Sequence, residues 1–92
     1  MRIEKVGYGE YDFHVKLGNE EIRVASLRSQ LVGTDKMFLY MHFPIKESSR
    51  VVLDLKHHTY EELFEQSKKI VRKKMYRYAQ DILNDITSED AV

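Results

Sequence analysis

Cysteine is absent from this 92-residue sequence, which excludes disulfide frameworks and thiolate metal sites and leaves nothing to argue for an oxidising compartment. One proline, Pro44, and four glycines are all that the chain has of the strongest breakers. No Pro/Gly/Ser linker, repeat or low-complexity stretch divides it, so it reads as a single domain over residues 1–92. No apolar run approaches the ~18 residues of a membrane span, and the start Met1-Arg2-Ile3-Glu4-Lys5 is too polar for a signal peptide. A cytoplasmic protein without membrane contact is the expectation. Net charge is lacking too, since fifteen basic and fifteen acidic residues cancel. That removes the simplest argument for nucleic-acid binding, because a domain that lives on phosphate contacts is usually strongly basic. Any basic surface must be local.

What is present is a folded composition, 42% hydrophobic and 33% charged with the two interspersed, as in globular domains and unlike disordered tails. Tyr11, Phe13, Val15 and Leu17 alternate with Asp12, His14 and Lys16, the period-two mark of a half-buried strand. Gly18-Asn19 supplies a two-residue, glycine-first turn into Glu20–Leu27, where Ile22 and Val24 share the inner face, and the pair predicts a β-hairpin. Arg28–Asp35 loses the alternation and reads as a loop or flap around Gly33-Thr34-Asp35. Lys36–Phe43 is a strand with both faces apolar or aromatic, which Pro44 ends or marks as an edge. After the polar loop Lys46–Ser49, Arg50–Lys56 places Val51, Leu53 and Leu55 inward. Ile3–Tyr8 is a candidate further edge strand, interrupted by Gly7 and Gly9.

Thr59 and Glu62 have the spacing of a capping box and predict a helix start. Tyr60, Phe64, Val71, Met75, Tyr78, Ile82 and Ile86 then fall near one line at ~100° per residue. The fold expected is α+β: an antiparallel sheet of about four strands over residues 3–56, one long amphipathic helix over 60–86 on one sheet face, and a short polar tail. Asp81 and Asp85 oppose the helix dipole, so the last turn is expected to fray.

A helix of that length spans about 40 Å, whereas strands of this size span only about 23 Å. The helix is therefore expected to overhang its sheet while its apolar stripe continues through Ile82, Leu83 and Ile86, and exposed apolar surface costs ~25 cal/mol per Å². A second copy of the chain is the simplest cover, which makes these three residues the candidate dimer interface; a bend in the helix, or N-terminal residues wrapped over its end, would be the alternative.

One helix covers one face of a sheet, which leaves Ala25, Phe38, Tyr40, His42 and Val52 on the other, rimmed by His14, Lys16, Arg23 and Lys56. Phe38, Tyr40, His42, Val52 and His14 are the candidate partner-binding residues of that face; a loop or dimer mate lying over it is the plainer reading. Six positive charges crowd into Lys68, Lys69, Arg72, Lys73, Lys74 and Arg77. Lys69, Lys73 and Arg77, at i, i+4, i+8, with Tyr76 beside them, are candidates for contact with an anion or nucleic acid. The plainer reading is a solvated face, with Glu65 and Asp81 offsetting Lys69 and Arg77.

His57-His58 lacks converging partners for a metal, and Gly7-Tyr8-Gly9 lacks the strand, helix and lysine of a phosphate loop. No serine sits in a nucleophile-elbow context. No metal and no cofactor are expected. The reading that results is a small non-enzymatic macromolecule-binding protein, an interaction module or inhibitor acting as a homodimer, with another protein as partner ahead of nucleic acid. In scale, though not in sequence, it is like phage-encoded inhibitors and accessory proteins. The alternatives are a nucleic-acid-binding regulator using the basic helix face and sheet aromatics, or a small nuclease dependent on His42 or His58.

Overall fold

The computed structural model describes residues 1–29, 35–43 and 49–90. Five strands precede one helix: β1 Arg2–Gly7, β2 Glu10–Leu17, β3 Glu20–Ser29, β4 Lys36–Met41, β5 Ser49–Asp54 and α1 Tyr60–Asp90. The strands form one antiparallel sheet in the order β1-β2-β3-β4-β5, each joined to its neighbour in sequence. The expected α+β class is what is found, with five strands where about four were expected. The additional one is β1, which Gly7 and Gly9 do not prevent. Gly9, at φ 69°, instead turns the chain back into β2. A Cβ at Gly9 would meet the Tyr60 ring at 2.3 Å, so the turn doubles as the seat for the first turn of α1. The second hairpin closes on Gly18 at φ 63°, with no positive φ at Asn19, the pattern of a type II′ turn matched to strand twist.

A β-bulge lies in the middle of that hairpin. Val15 pairs with Ile22 and His14 with Arg23, but Phe13 pairs with Ala25, which leaves Val24 as the extra residue. From there on, parity in β3 is reversed relative to simple alternation. Ala25, expected on the outer face, is buried in the core, and Ser26 takes its place opposite Asp12. The Val24 carbonyl accepts from the backbone N–H groups of both His42 (2.7 Å) and Phe43 (3.2 Å), which closes the end of β4. The middle of the loop expected at Arg28–Asp35, residues 30–34, and Pro44 with the polar loop after it, residues 44–48, lie outside the described residues.

The core lies between one sheet face and α1. Phe13, Ala25, Leu27, Met37, Leu39, Met41 and Leu53 meet Leu63 and Val71, flanked by Tyr60, Phe64, Ile70 and Met75. The capping box forms as expected: Glu62 N–H donates to Thr59 Oγ1 (3.1 Å) and Thr59 N–H to Glu62 Oε1 (3.0 Å). The helix seats on Leu63, Ser67 and Val71, all fully buried. Ser67 is admitted because its hydroxyl donates to the Leu63 carbonyl (2.8 Å), so its polar atom carries no desolvation debt. Phe64 packs on Tyr11 (4.2 Å between centroids) and Phe13, while Tyr78 meets Phe43 edge-on at 5.3 Å.

Beyond Tyr78 the helix leaves the sheet. It extends to Asp90, four residues past the expected end, so residues 87–90 of the segment expected as a polar tail are helical. Residues 81–88 are all exposed, and the molecule measures 55 Å along its longest axis against 26 and 20 Å across.

Candidate functional site

Three surfaces hold the residues singled out from the sequence. The first is the projecting end of α1, where Ile82, Leu83 and Ile86 are 42%, 55% and 51% exposed. Tyr76 (69%) and Ala79 are also exposed. Tyr76, Ala79, Leu83 and Ile86 are separated by three, four and three residues. That is the spacing of a coiled-coil seam, lying to one side of the Leu63–Ser67–Val71 stripe that seats the helix.

The second surface is a cleft of about 290 Å³ between α1 and the edge strand β5, lined by Val51, Ile70, Lys73, Lys74 and Arg77. Two of the three basic residues expected to contact anions, Lys73 and Arg77, come together here with Lys74. Lys69 instead borders a shallow depression with Thr59, Glu61, Glu62, Glu65 and Gln66. Tyr76, next to Arg77 in sequence, is turned ~100° around the helix from it. The charge offsets expected along the helix do not form. Glu65 pairs with Lys68 at 2.8 Å rather than with Lys69, and among the described residues no carboxylate lies within 4.0 Å of Lys69, Arg72, Lys73, Lys74 or Arg77.

The third surface is the sheet face away from α1. Phe38, Tyr40, His42, Val52 and His14 are all associated with it, but they do not form one platform. Phe38 is only 8% exposed: the Arg50 guanidinium lies 4.6 Å from its ring centroid, and Tyr40 flanks it at 6.1 Å. A covered ring is not presented for base stacking. Val52 is exposed beside this cluster, opposite Phe38. His14, on β2, is separated from His42 by β3; it sits between Glu4 (3.6 Å) and Glu21 (3.7 Å), with Arg2 Nε donating to Glu21 at 2.9 Å.

Between these groups runs a partly buried polar chain not anticipated from the sequence. His42 Nε2 lies 2.8 Å from Ser26 Oγ, and Ser26 donates to Asp12 Oδ1 (3.0 Å). Asp12 Oδ1 also receives an N–H of Arg28 at 2.6 Å, and another Arg28 nitrogen donates to the Tyr11 and Leu27 carbonyls at 3.1 Å. Because Ser26 gives its proton to Asp12, it accepts from His42, which fixes the tautomer protonated on Nε2. Burial raises the Asp12 carboxyl, but hydrogen bonds from Arg28 and Ser26 and the charges of Arg28 and Arg23 outweigh it, so the group titrates below its ordinary range. Burial, with Arg23 second, holds His42 below its ordinary value. Ser26 here is a bridge between imidazole and carboxylate and not an activated nucleophile, since its proton points to the acid. Simple hairpin register would have set Asp12 opposite Ala25, and only the bulge at Val24 brings Ser26 there.

His57 and His58 cap the end of β5: His57 Nδ1 lies 2.5 Å from Asp54 Oδ2, and His58 Nδ1 lies 3.1 Å from the Asp54 carbonyl. The His57 contact, then the Lys56 N–H, lowers the Asp54 carboxyl. Among the described residues, no three histidine or acidic groups converge to hold a metal ion, and no helix is long and apolar enough to cross a membrane. Compared with known proteins, the chain matches no family model, no curated protein and no solved structure.

Proposed function

We propose that this chain is a protein-binding module that acts without catalysis and pairs with a second copy of itself through the projecting end of α1. The observation that carries the reading is the seam Tyr76, Ala79, Leu83 and Ile86, exposed on a helix that has left its sheet. A helical segment of this length is marginal in water by itself. Asp81 and Asp85 near its C-terminal end, with no basic residue in the last turn, work against the dipole. Packing supplies what local energetics lack.

A second copy fits because the seam is self-complementary. If two helices cross antiparallel at Ala79, Leu83 of one falls against Met75 and Tyr76 of the other, and Ile86 falls on the aliphatic stem of Arg72. The small side chain at the crossing allows the axes to approach to about 8 Å. The same arrangement sets acidic Asp85 level with basic Lys73, whereas a parallel pair would align like charges. Four side chains per helix make a small interface, so the pair is expected to be weak. The nucleic-acid reading has less behind it, because Phe38, on the sheet face away from α1, is covered by Arg50.

The test is solution mass across a concentration series, wild type beside a Leu83→Asp, Ile86→Asp variant. The wild type is expected to rise toward twice the chain mass with a modest response to salt, and the variant to remain monomeric with unchanged circular dichroism. A wild type that stays monomeric at millimolar concentration would overturn the reading.

A further inference from the structure

We propose that the free edge of β5, together with the basic cleft beside it, is a binding site for an extended acidic peptide of a partner protein, which adds to the sheet as a sixth strand. This site is distinct from the seam on α1. It rests on the state of the β5 backbone and on unpaired charge.

The backbone comes first. Leu55 N–H donates to the Asp35 carbonyl at 2.7 Å, and Asp54, Val52 and Arg50 pair in register with Lys36, Phe38 and Tyr40. In an antiparallel ladder, alternate residues direct both backbone groups to the same neighbour. Leu55, Leu53 and Val51 therefore bond toward β4, while the N–H and C=O groups of Arg50, Val52 and Asp54 face away from it. The Asp54 carbonyl is taken by His58. Among the described residues nothing pairs with the outward groups of Arg50 and Val52, which stand one on each side of Val51, and Val51 lines the cleft.

The opposite edge of the sheet shows what a protected strand looks like here. β1 is bulged at Val6, since Lys5 pairs with Tyr11 and Gly7 with Glu10. Its Arg2 is tied to Glu21 and Glu4 by ion pairs. Bulges and charges of this kind are how edge strands avoid further pairing. β5 carries no bulge in its register with β4.

Charge selects the occupant. Lys73, Lys74 and Arg77 reach over a floor of Val51 and Ile70 with no carboxylate within ion-pair distance among the described residues. Glu65 and Asp54 are engaged elsewhere, with Lys68 and His57, and Asp81, four residues after Arg77, forms no ion pair with it. A strand laid along Arg50–Val52 turns alternate side chains toward α1. Carboxylates there meet the three cations, and aliphatic residues on the other side lie beside Val52. Among the described residues no aromatic lines the cleft, so a nucleic acid would gain phosphate contacts without base stacking.

The test uses the full chain and fluorescently labelled peptides of about six residues, alternating Glu with Val. Controls are the same peptide with its edge-facing amides N-methylated, a Lys/Val counterpart and a single-stranded oligonucleotide of similar charge. The Glu/Val peptide is expected to bind at low salt and to shift the amide resonances of Arg50 and Val52. Affinity should fall at least about tenfold in a Lys73→Glu, Arg77→Glu variant, whose exposed positions leave the core untouched. It should fall similarly on N-methylation of the peptide and survive Leu83→Asp, Ile86→Asp. Binding indifferent to N-methylation would reduce the site to electrostatic attraction and overturn the proposal. So would preference for the oligonucleotide, or no binding beyond that of the Lys/Val peptide.

Discussion

The two halves of α1 obey different rules although no break in the helix separates them. From Tyr60 to Tyr78 the helix is held from outside itself: a capping box at Thr59, Leu63, Ser67 and Val71 fully buried against the sheet, and aromatic contacts to β2 and Phe43. From Asp81 onward every described side chain is exposed, and acidic residues stand at the wrong end of the dipole. The first half is a structural element of a domain. The second carries the same kind of apolar periodicity with nothing underneath it, which is why the seam is read as an interface.

The largest expected effect sharpens this contrast. Leu63→Ala removes a fully buried side chain and is expected to cost about 3 kcal/mol of unfolding free energy in a urea titration. Leu83→Ala is expected to change the stability of the dilute monomer by no more than about 0.5 kcal/mol. Equal costs would mean that the two halves are not different.

A second prediction perturbs the sheet and spares the helix end. His42 is held below its ordinary value of 6.5 by burial and by Arg23, so the folded state favours the neutral ring. Its contribution is complete above pH 6.5 and is lost as pH falls from there through the lowered folded value, because in that window the unfolded chain binds more protons. Stability should therefore fall on acidification below 6.5, and His42→Asn should flatten that step. Asp12, held below 3.8, adds a separate loss only at pH below 3.8. The step at His42 should be smaller than the loss in Leu63→Ala. An unaltered step in His42→Asn would assign it to another group.

How much of this was legible beforehand follows from how local each cause is. The II′ turn at Gly18-Asn19 and the capping box at Thr59 and Glu62 are written in adjacent residues, and both form where expected. The overhang follows from two lengths. The bulge at Val24 is not legible, because Val24 and Ala25 are both apolar and either fits the core; it hides the Asp12–Ser26–His42 chain by displacing the register by one residue. Ser67 breaks the apolar line on paper and yet is buried, because its hydroxyl has a partner one turn back. The separation of Lys69 from Lys73 and Arg77 depends on where β5 runs relative to the helix, which spacing along α1 does not contain.

The pairing of α1 about Ala79 is tested most directly by cross-linking, since the chain has no cysteine of its own and a single introduced thiol can bond only to its counterpart in a second copy. Ala79→Cys lies at the proposed crossing, where Cα atoms come within the roughly 4.4–6.8 Å that a disulfide spans. Asn84→Cys lies off the seam on the same projecting turns. Pairing about Ala79 predicts that mild oxidation at a concentration where the wild type self-associates converts Ala79→Cys largely to covalent dimer and leaves Asn84→Cys largely monomeric. Equal cross-linking of the two, or none at Ala79→Cys, would contradict it.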